Sequence, residues 1–390
     1  MNRLRRIAWA LAAGAYGPLH DLRHLMGHAL RVRRHRGLPP EGREALMRLR
    51  GASRLAFVVI HPRFVEFSIR NLVVALAGAG FSVAALTSEE PPPALVQMIE
   101  DFGGTVVRRH RIGRDVGGYA DAMCFLHEQD DAFPALEWVV LANDSMYWPA
   151  ATRTHLHALL DEAAPWACLT ESFVGRYHAQ SYFLCLSGTV ALSEACRTFW
   201  RGYLPHEHRR HVIRRGEIGL SQCLMQAFGK PFCLFAGGRL AEAIVGRLDP
   251  EAAATVVAEV IIPSVPLWQD GGEMADRLIS HVQAEVMPRG HAQRNSPGNI
   301  VRLEMARRAA DIALHQNPTH SLVRSLHDLF GAPVKRDIAF RRTQPIGATS
   351  ALLRGFSPAE RREIERDLRE RGLPGDLPLT ERLLIHTGRR

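Results

Sequence analysis

Four short polar clusters interrupt the apolar stretches of this chain, and each holds residue types suited to chemistry on a charged, hydroxylated substrate. Asn143-Asp144-Ser145-Met146-Tyr147 directly follows the apolar run 138–142. A carboxylate at the end of a buried strand projects from a rigid edge, as one must to meet a metal-bridged diphosphate. An Asx turn, or a helix cap leading into the helix after Pro149, is the alternative use of the same residues. Ile112-Gly113-Arg114-Asp115-Val116-Gly117-Gly118-Tyr119 follows another short apolar run and opens a helix. Gly113 and Gly117 permit close backbone approach, and a helix N-terminus favours an anion. Arg114 suits a phosphate, and Asp115 suits sugar or ribose hydroxyls. A glycine-rich turn with an ordinary Arg–Asp pair gives the same pattern. The segment is not the dinucleotide-binding G-x-G-x-x-G, because it follows a third strand rather than a first and lacks the spacing.

Glu171-Ser172 and His178-Ala179-Gln180-Ser181 place polar groups on either side of a strand turn, where Glu171, His178 and Gln180 are suited to line an acceptor pocket. A histidine in such a turn also serves as a structural hydrogen-bond partner. Gly216-Glu217-Ile218-Gly219 starts a helix with a carboxylate in its first turn. There the helix dipole keeps Glu217 ionised and available as a base, and helix capping explains the same residue equally well. No G-x-S-x-G, H-E-x-x-H, P-loop or kinase signature occurs, which removes the commonest hydrolase, metalloprotease and nucleoside-triphosphatase chemistries.

The elements that must position these clusters are legible as alternating strand-like and helical runs. Leu55–Ile60 is continuously apolar, the pattern of a strand buried on both faces. Helix 64–80, strand 81–86, helix 94–102, strand 105–107, helix 117–129 and strand 138–142 follow. Beyond them come strands 167–170 and 181–186, helices 190–201 and 218–228, and a last strand 232–235. Such alternation implies an α/β fold with an open, mainly parallel twisted sheet, helices on both faces, and ligands at the carboxyl ends of the strands. The organisation expected is a basic helical segment over 1–50, the sheet domain over 51–240 and a mostly helical region over 241–390. In the last, helices are expected over 249–261, 272–286 and 299–315. A further one is opened by Ser357-Pro358 with Glu360 three positions after the serine, and its Arg/Glu-rich stretch 360–371 reads as a solvated face.

The net charge of +9 is unevenly spread. Residues 1–50 carry eleven Arg against Asp21, Glu41 and Glu44, a net +8, so the other 340 residues hold +1. A nearly neutral body with no aromatic-basic platform argues against nucleic acid as a partner. Of 49 basic residues only Lys230 and Lys335 are lysine, a bias of composition rather than a sign of phosphate binding. The basic start followed by apolar Ile7 to Ala15 has the form of a secretory leader. Its continuation through Leu19, Leu22, Leu25, Met26 and Leu30 at helical spacing suits a helix lying on an anionic membrane surface. Packing of that helix on its own domain is the other reading. No apolar run reaches the roughly 18 residues of a spanning helix. The six cysteines lie in apolar stretches without C-x-x-C or zinc spacing, as buried thiols of a reducing compartment do.

In their order along the chain the clusters resemble the rhamnan synthesis F family, glycosyltransferase-like proteins of bacterial surface polysaccharide assembly whose catalytic region is similar to the GT-A nucleotide-sugar fold. The resemblance spans about Arg54 to Gly237. It is carried by the opening strand ending in His61, G-R-D-x-G-G-Y at Gly113 to Tyr119, N-D-S-M-Y at Asn143 to Tyr147, H-x-Q-S-Y-F at His178 to Phe183, and the Glu217 helix. Asn317-Pro318-Thr319-His320 with Pro333-Val334-Lys335-Arg336 looks like a helical segment that follows the sheet in that family.

The resemblance implies a nucleoside-diphosphate sugar donor, often a deoxysugar such as L-rhamnose, and a glycan or lipid-linked acceptor. Location in the cytoplasm, at the periphery of the inner membrane, is the expectation from the lack of a spanning run together with the N-terminal charge. Asp144 then stands in the place of a metal-binding D-x-D, with N-D-S offering one carboxylate instead of two, so that Mg²⁺ or Mn²⁺ would lean on the diphosphate and water, and a metal-independent site is open. In the inverting transfer so implied, Glu217 is the base. Asp144 and Arg114 stabilise the departing diphosphate, and Asp115 holds donor hydroxyls. His61, with Gly113, Gly117, Asn143 and Ser145, lies on the donor side, while His178, Gln180 and Glu171 shape the acceptor side. The rival readings are a non-catalytic scaffold of a polysaccharide complex and a different nucleotide-sugar enzyme on the same fold.

Overall fold

The computed structural model describes residues 37–246, 317–338 and 355–371, together with positions 32, 307, 311, 314, 315 and 353. The basic N-terminal helix expected before residue 37 and the helices expected over 249–261, 272–286 and 299–315 lie, apart from those isolated positions, outside the described residues. Among the described residues, no helix is long and apolar enough to cross a membrane.

From residue 37 the described elements are helix α1 (Pro40–Met47), strand β1 (Arg54–Ile60), helix α2 (Glu66–Gly78), strand β2 (Ser82–Thr87), helix α3 (Pro93–Asp101) and strand β3 (Thr105–Arg108). The chain continues through helix α4 (Arg114–Glu128), strands β4 (Trp138–Asn143) and β5 (Met146–Tyr147), helix α5 (Thr152–Leu160) and strands β6 (Trp166–Cys168), β7 (Glu171–Ser172), β8 (His178–Ala179) and β9 (Phe183–Ser187). After a single helical turn at Gly188–Ala191 come helix α6 (Glu194–Gly202), a π-helical segment Val212–Glu217 running into helix α7 (Ile218–Phe228), strand β10 (Phe232–Cys233) and helix α8 (Gly237–Gly246). The C-terminal part adds helix α9 (Val323–Phe330), strand β11 (Val334–Lys335) and helix α10 (Pro358–Arg371).

Seven strands form one sheet in the order β10-β6-β9-β4-β1-β2-β3. β1 pairs in parallel with β2 and β4, β2 with β3, and β6 with β10, while β9 runs antiparallel to both β4 and β6. The expected α/β architecture with a mostly parallel central sheet is therefore present. Its core divides by strand alternation. Ala56, Val58 and Ile60 face a cluster with Ile69, Leu72, Val73 and Leu76 of α2. Leu55, Phe57 and Val59 face another with Tyr119, Met123 and Leu126 of α4 and Trp200 of α6. Burial on both faces is what the unbroken apolar run of β1 requires.

Several boundaries differ from expectation for local reasons. α1 starts at Pro40, which occupies its first turn, where a missing N–H costs nothing. α4 begins three residues early, at the left-handed Gly113 (φ 81°). The helix expected over 190–201 is interrupted because Ser193 caps a new one, its hydroxyl accepting from the N–H of Cys196.

Two corrections concern the C-terminal part. Pro333 to Arg336 is not helical: Val334 and Lys335 pair antiparallel with Tyr147 and Met146, so β11 is a strand laid along the segment that follows β4. α10 is not merely a solvated face. Its N-terminus carries the expected capping box, with Ser357 N–H donating to Glu360 and Glu360 N–H to Ser357 Oγ. Yet Ile364 and Leu368, four apart, are buried with Val65, Phe67, Tyr147 and Val334. Leu322, Leu326 and Ala332 join the α2 side of the main core.

Candidate functional site

In a parallel sheet of this order the strands turn away from one another at β1 and β4, and a ligand crevice opens beyond their carboxyl ends at that switch point. His61 follows β1 and Asn143-Asp144 ends β4, with Asp144 N–H donating to the carbonyl of Val59. The structure brings His61 and Asp144 into direct contact. The imidazole Nδ1 lies 2.7 Å from Asp144 Oδ1, and the His61 N–H donates to Oδ2 at 3.2 Å. Arg336 approaches the same carboxylate from the other side, donating to Oδ2 at 3.1 Å and to the Asp144 carbonyl at 2.9 Å.

Arg336 is the residue that the reading of the sequence missed as a site component. Its side chain is 3% exposed, and it also donates to the Arg63 carbonyl and to both oxygens of Asp367 on α10. Asp367 in turn accepts from Tyr147 Oη at 2.6 Å and from Arg371 at 2.9 Å. One guanidinium thus staples the segments after β1, β4 and β11 to α10. The only sequence signal was the Pro333 to Arg336 segment, with nothing to link Arg336 to a carboxylate 192 positions away.

The expectation that Asp144 projects freely into the cleft is corrected by this geometry. Asp144 is buried, and both its oxygens are engaged by cationic or N–H donors. A divalent ion needs several oxygen ligands, and among the described residues no group of three or more His, Cys, Asp or Glu side chains is placed to hold one. Asp144, with a guanidinium already on it, does not fit the metal-ligand role expected of it.

The charges tune each other. Burial by itself would raise the Asp144 carboxyl, but His61 and then Arg336 hold it below the ordinary 3.8. The Asp144 charge raises His61 above its ordinary 6.5, with Asp115 adding to the effect and burial and Arg114 opposing it. Asp367 is held low against its burial by Arg336 and Arg371. The signs follow by linkage. The His61 contribution to stability is fully present below pH 6.5 and is lost as pH rises through the raised folded value. The two carboxylates contribute above 3.8 and lose that as pH falls through their depressed values. Thermal unfolding followed across pH is expected to show a decline above pH 6.5 that His61→Gln removes, with the part of the acid limb that comes from Asp367 retained.

The second half of the site is a hydrogen-bond chain. Asn143 Nδ2 donates to Asp115 Oδ2 and lies 3.0 Å from Tyr119 Oη, whose hydroxyl donates to the Ser181 carbonyl. Ser181 Oγ donates to Glu217 Oε1 at 2.7 Å. Asn143 Oδ1 accepts from Ser145 N–H, so the Asx turn is formed as well. Ser145 Oγ meets Lys335 Nζ at 3.4 Å. The Glu217 side chain is 21% exposed, and its second oxygen lies 3.9 Å from His178 Nε2. Glu217 ends the π-helical segment, a geometry frequent at functional sites. Gly216 lets that segment lie against Val116, since a Cβ there would collide with the valine side chain.

Gly113, Arg114 and Gly117 are placed at the α4 N-terminus, in a different way from that expected. Gly113 N–H donates to Glu207 Oε1 at 2.6 Å and Val116 N–H to Asp115 Oδ1, so two carboxylates already sit where an anion was expected. Gly113 packs against Pro205, and Gly117 closes on the Ile112 carbonyl, approaches that a Cβ would block. Arg114 is exposed and is the one non-glycine residue with positive φ (54°) among those described. That strained conformation costs on the order of 1 kcal/mol and marks the turn as one the fold takes trouble to keep.

Three residues expected on the acceptor side are turned into the structure. Glu171 accepts from the N–H of Gly237 at the start of α8. Gln180 is buried, its Oε1 meeting Thr319 Oγ1 at 3.4 Å. His178 is buried too, its Nδ1 lying 2.8 Å from the Arg176 carbonyl, which assigns the proton to that nitrogen and turns Nε2 toward Glu217. Ser181, missed as a site residue, is what touches Glu217.

No family model matches the chain. It is similar to a protein of Sinorhizobium fredii (strain NBRC 101917 / NGR234) described as uncharacterized protein y4gN, at 24% identity over 187 residues, 47% of each chain. The chain thus spans about half the length of the curated relative it matches.

Proposed function

We propose that this protein transfers a sugar from a nucleoside-diphosphate donor to a glycan or lipid-linked acceptor, on a GT-A-like sheet, in the manner of the rhamnan synthesis F family that its motifs resemble. The observation that carries the proposal is the chain Asp115–Asn143–Tyr119–Ser181–Glu217 at the carboxyl ends of the strands. It joins a carboxylate suited to donor hydroxyls to a carboxylate suited to act as a base. The antiparallel β9 inserted in a parallel sheet is in keeping with that fold. Glu217 takes the proton of an acceptor hydroxyl, and the oxygen attacks the anomeric carbon. The bond to the diphosphate breaks, and its electron pair leaves with the phosphate. Asp115 keeps a lone pair on each oxygen for a sugar hydroxyl, and Arg114 is exposed for the phosphates. Attachment to the inner-membrane surface through the basic segment 1–50, with the protein in the cytoplasm, belongs to the same proposal.

The test is a thermal-shift screen against nucleoside diphosphates and nucleotide sugars. A ligand at about 100 times its Kd stabilises the folded state by roughly 2.7 kcal/mol. One nucleotide is expected to raise Tm by several degrees, and Asp115→Asn is expected to weaken the effect of the nucleotide sugar more than that of the bare nucleotide. No shift with any donor favours the non-catalytic scaffold.

A further inference from the structure

The clamped Asp144 leaves open what meets the charge of a departing diphosphate, and the neighbouring geometry supplies a candidate. His61 stands at the switch point between β1 and β4 with its side chain 46% exposed, while the Asp144 carboxylate beneath it is 4% exposed. Nδ1 is anchored inward on that carboxylate at 2.7 Å. An imidazole held so carries a proton on Nδ1 and turns its Nε2 edge away from the carboxylate, on the exposed side of the ring. Asp144 cannot swing to follow it, since Arg336 grips both its Oδ2 and its carbonyl, and Arg336 is fixed by Asp367 and the Arg63 carbonyl. The charged groups acting on the ring are Asp144 and Asp115, which favour the cation, and Arg114, which opposes it.

We infer that His61, oriented by the Asp144–Arg336 pair, is the cationic hydrogen-bond donor to the leaving diphosphate, and that it takes the place a divalent metal ion holds at a two-carboxylate site. The inference rests on the donor-site reading above and adds the group that meets the phosphate charge. A metal needs free carboxylate oxygens, and Asp144 has Oδ1 on the imidazole and Oδ2 on the His61 N–H and Arg336. A fixed donor aimed at developing charge needs no reorganisation during the reaction. The aspartate in N-D-S is then kept for its effect on His61.

The experiment is calorimetric titration of the full chain with UDP, GDP and dTDP, in EDTA and again with Mg²⁺ or Mn²⁺, for the wild type and for His61→Gln and His61→Ala. The half-exposed ring makes both variants compatible with folding, which circular dichroism checks. One nucleotide is expected to bind within about twofold in EDTA and in metal, and loss of a charged hydrogen bond is expected to weaken it about 10-fold to 100-fold in either variant. Binding that falls 10-fold or more in EDTA and returns with metal overturns the inference and leaves the donor site standing. So does wild-type affinity in both variants. Absence of binding for every nucleotide in every condition overturns the donor-site reading, and the inference with it.

Discussion

Arg336→Met is expected to destabilise the fold by about 3–5 kcal/mol, the scale for stranding buried charges after one partner is removed. The substitution keeps most of the side-chain length but leaves Asp144, 4% exposed, and Asp367, 12% exposed, without the guanidinium between them. It also removes the donor to the carbonyls of Asp144 and Arg63, the first of them buried. His61 and Arg371 remain as partial compensation, since each still contacts one of the carboxylates. Urea unfolding measures the loss. In Arg336→Met/Asp367→Asn the cost should fall short of the sum of the two single costs, because the second change removes a charge that the first had stranded. A loss under 1 kcal/mol in Arg336→Met alone would show that the cluster is solvated on opening and that α10 is not locked to the site through it.

What the sequence reveals, and what it hides, divides along the distance between partners. β1 and β4 were legible because burial on both faces demands unbroken apolar runs, and a run ending in Asn-Asp or His puts a polar group at a strand end whatever follows. The α10 cap was legible because Ser357 and Glu360 solve a problem internal to four residues. The Asp144–Arg336 pair was not, since 192 residues separate its members and an arginine in an Arg-rich chain carries no mark of the carboxylate it will meet. α10 misled for a related reason. Its charges outnumber its apolar residues, and only the fourfold spacing of Ile364 and Leu368, with Asp367 between, encodes a buried face.

The residues around β7 and β8 show the same limit. Glu171, His178 and Gln180 were expected at an acceptor from residue type, but in the fold Glu171 accepts from the Gly237 N–H, Gln180 meets Thr319 Oγ1 and His178 lies against the Arg176 carbonyl, partners that residue type does not mark. The hydroxyl of Ser181, one position past Gln180, points instead at Glu217. No periodicity argument separates the two, because the strand preceding β9 is irregular there and alternation does not apply. The π-helical entry to α7 is equally silent in sequence, and it sets the position of Glu217.

Glu217→Gln is expected to lower turnover by about 10² to 10⁴-fold, the range for loss of a general base, with nucleotide affinity unchanged. The argument is one of shape against charge. Glutamine keeps an oxygen to accept from Ser181 Oγ, as Oε1 does at 2.7 Å, so the chain back through Tyr119 and Asn143 to Asp115 survives and the donor side is undisturbed. What is lost is the capacity to take a proton. His178 offers no substitute, because it is buried and its Nε2 stands 3.9 Å from Glu217 with the other nitrogen committed to the Arg176 carbonyl. Single-turnover rates with a donor identified by thermal shift, set beside its Kd, separate the two effects. A rate unchanged in Glu217→Gln would move the base elsewhere and leave Glu217 as a helix-entry residue. A collapse of Kd alone would place it on the donor, with Asp115 free to face the acceptor. The proposed direction of transfer, donor on the Asp115 side and acceptor on the Glu217 side, stands or falls on which of these two quantities moves.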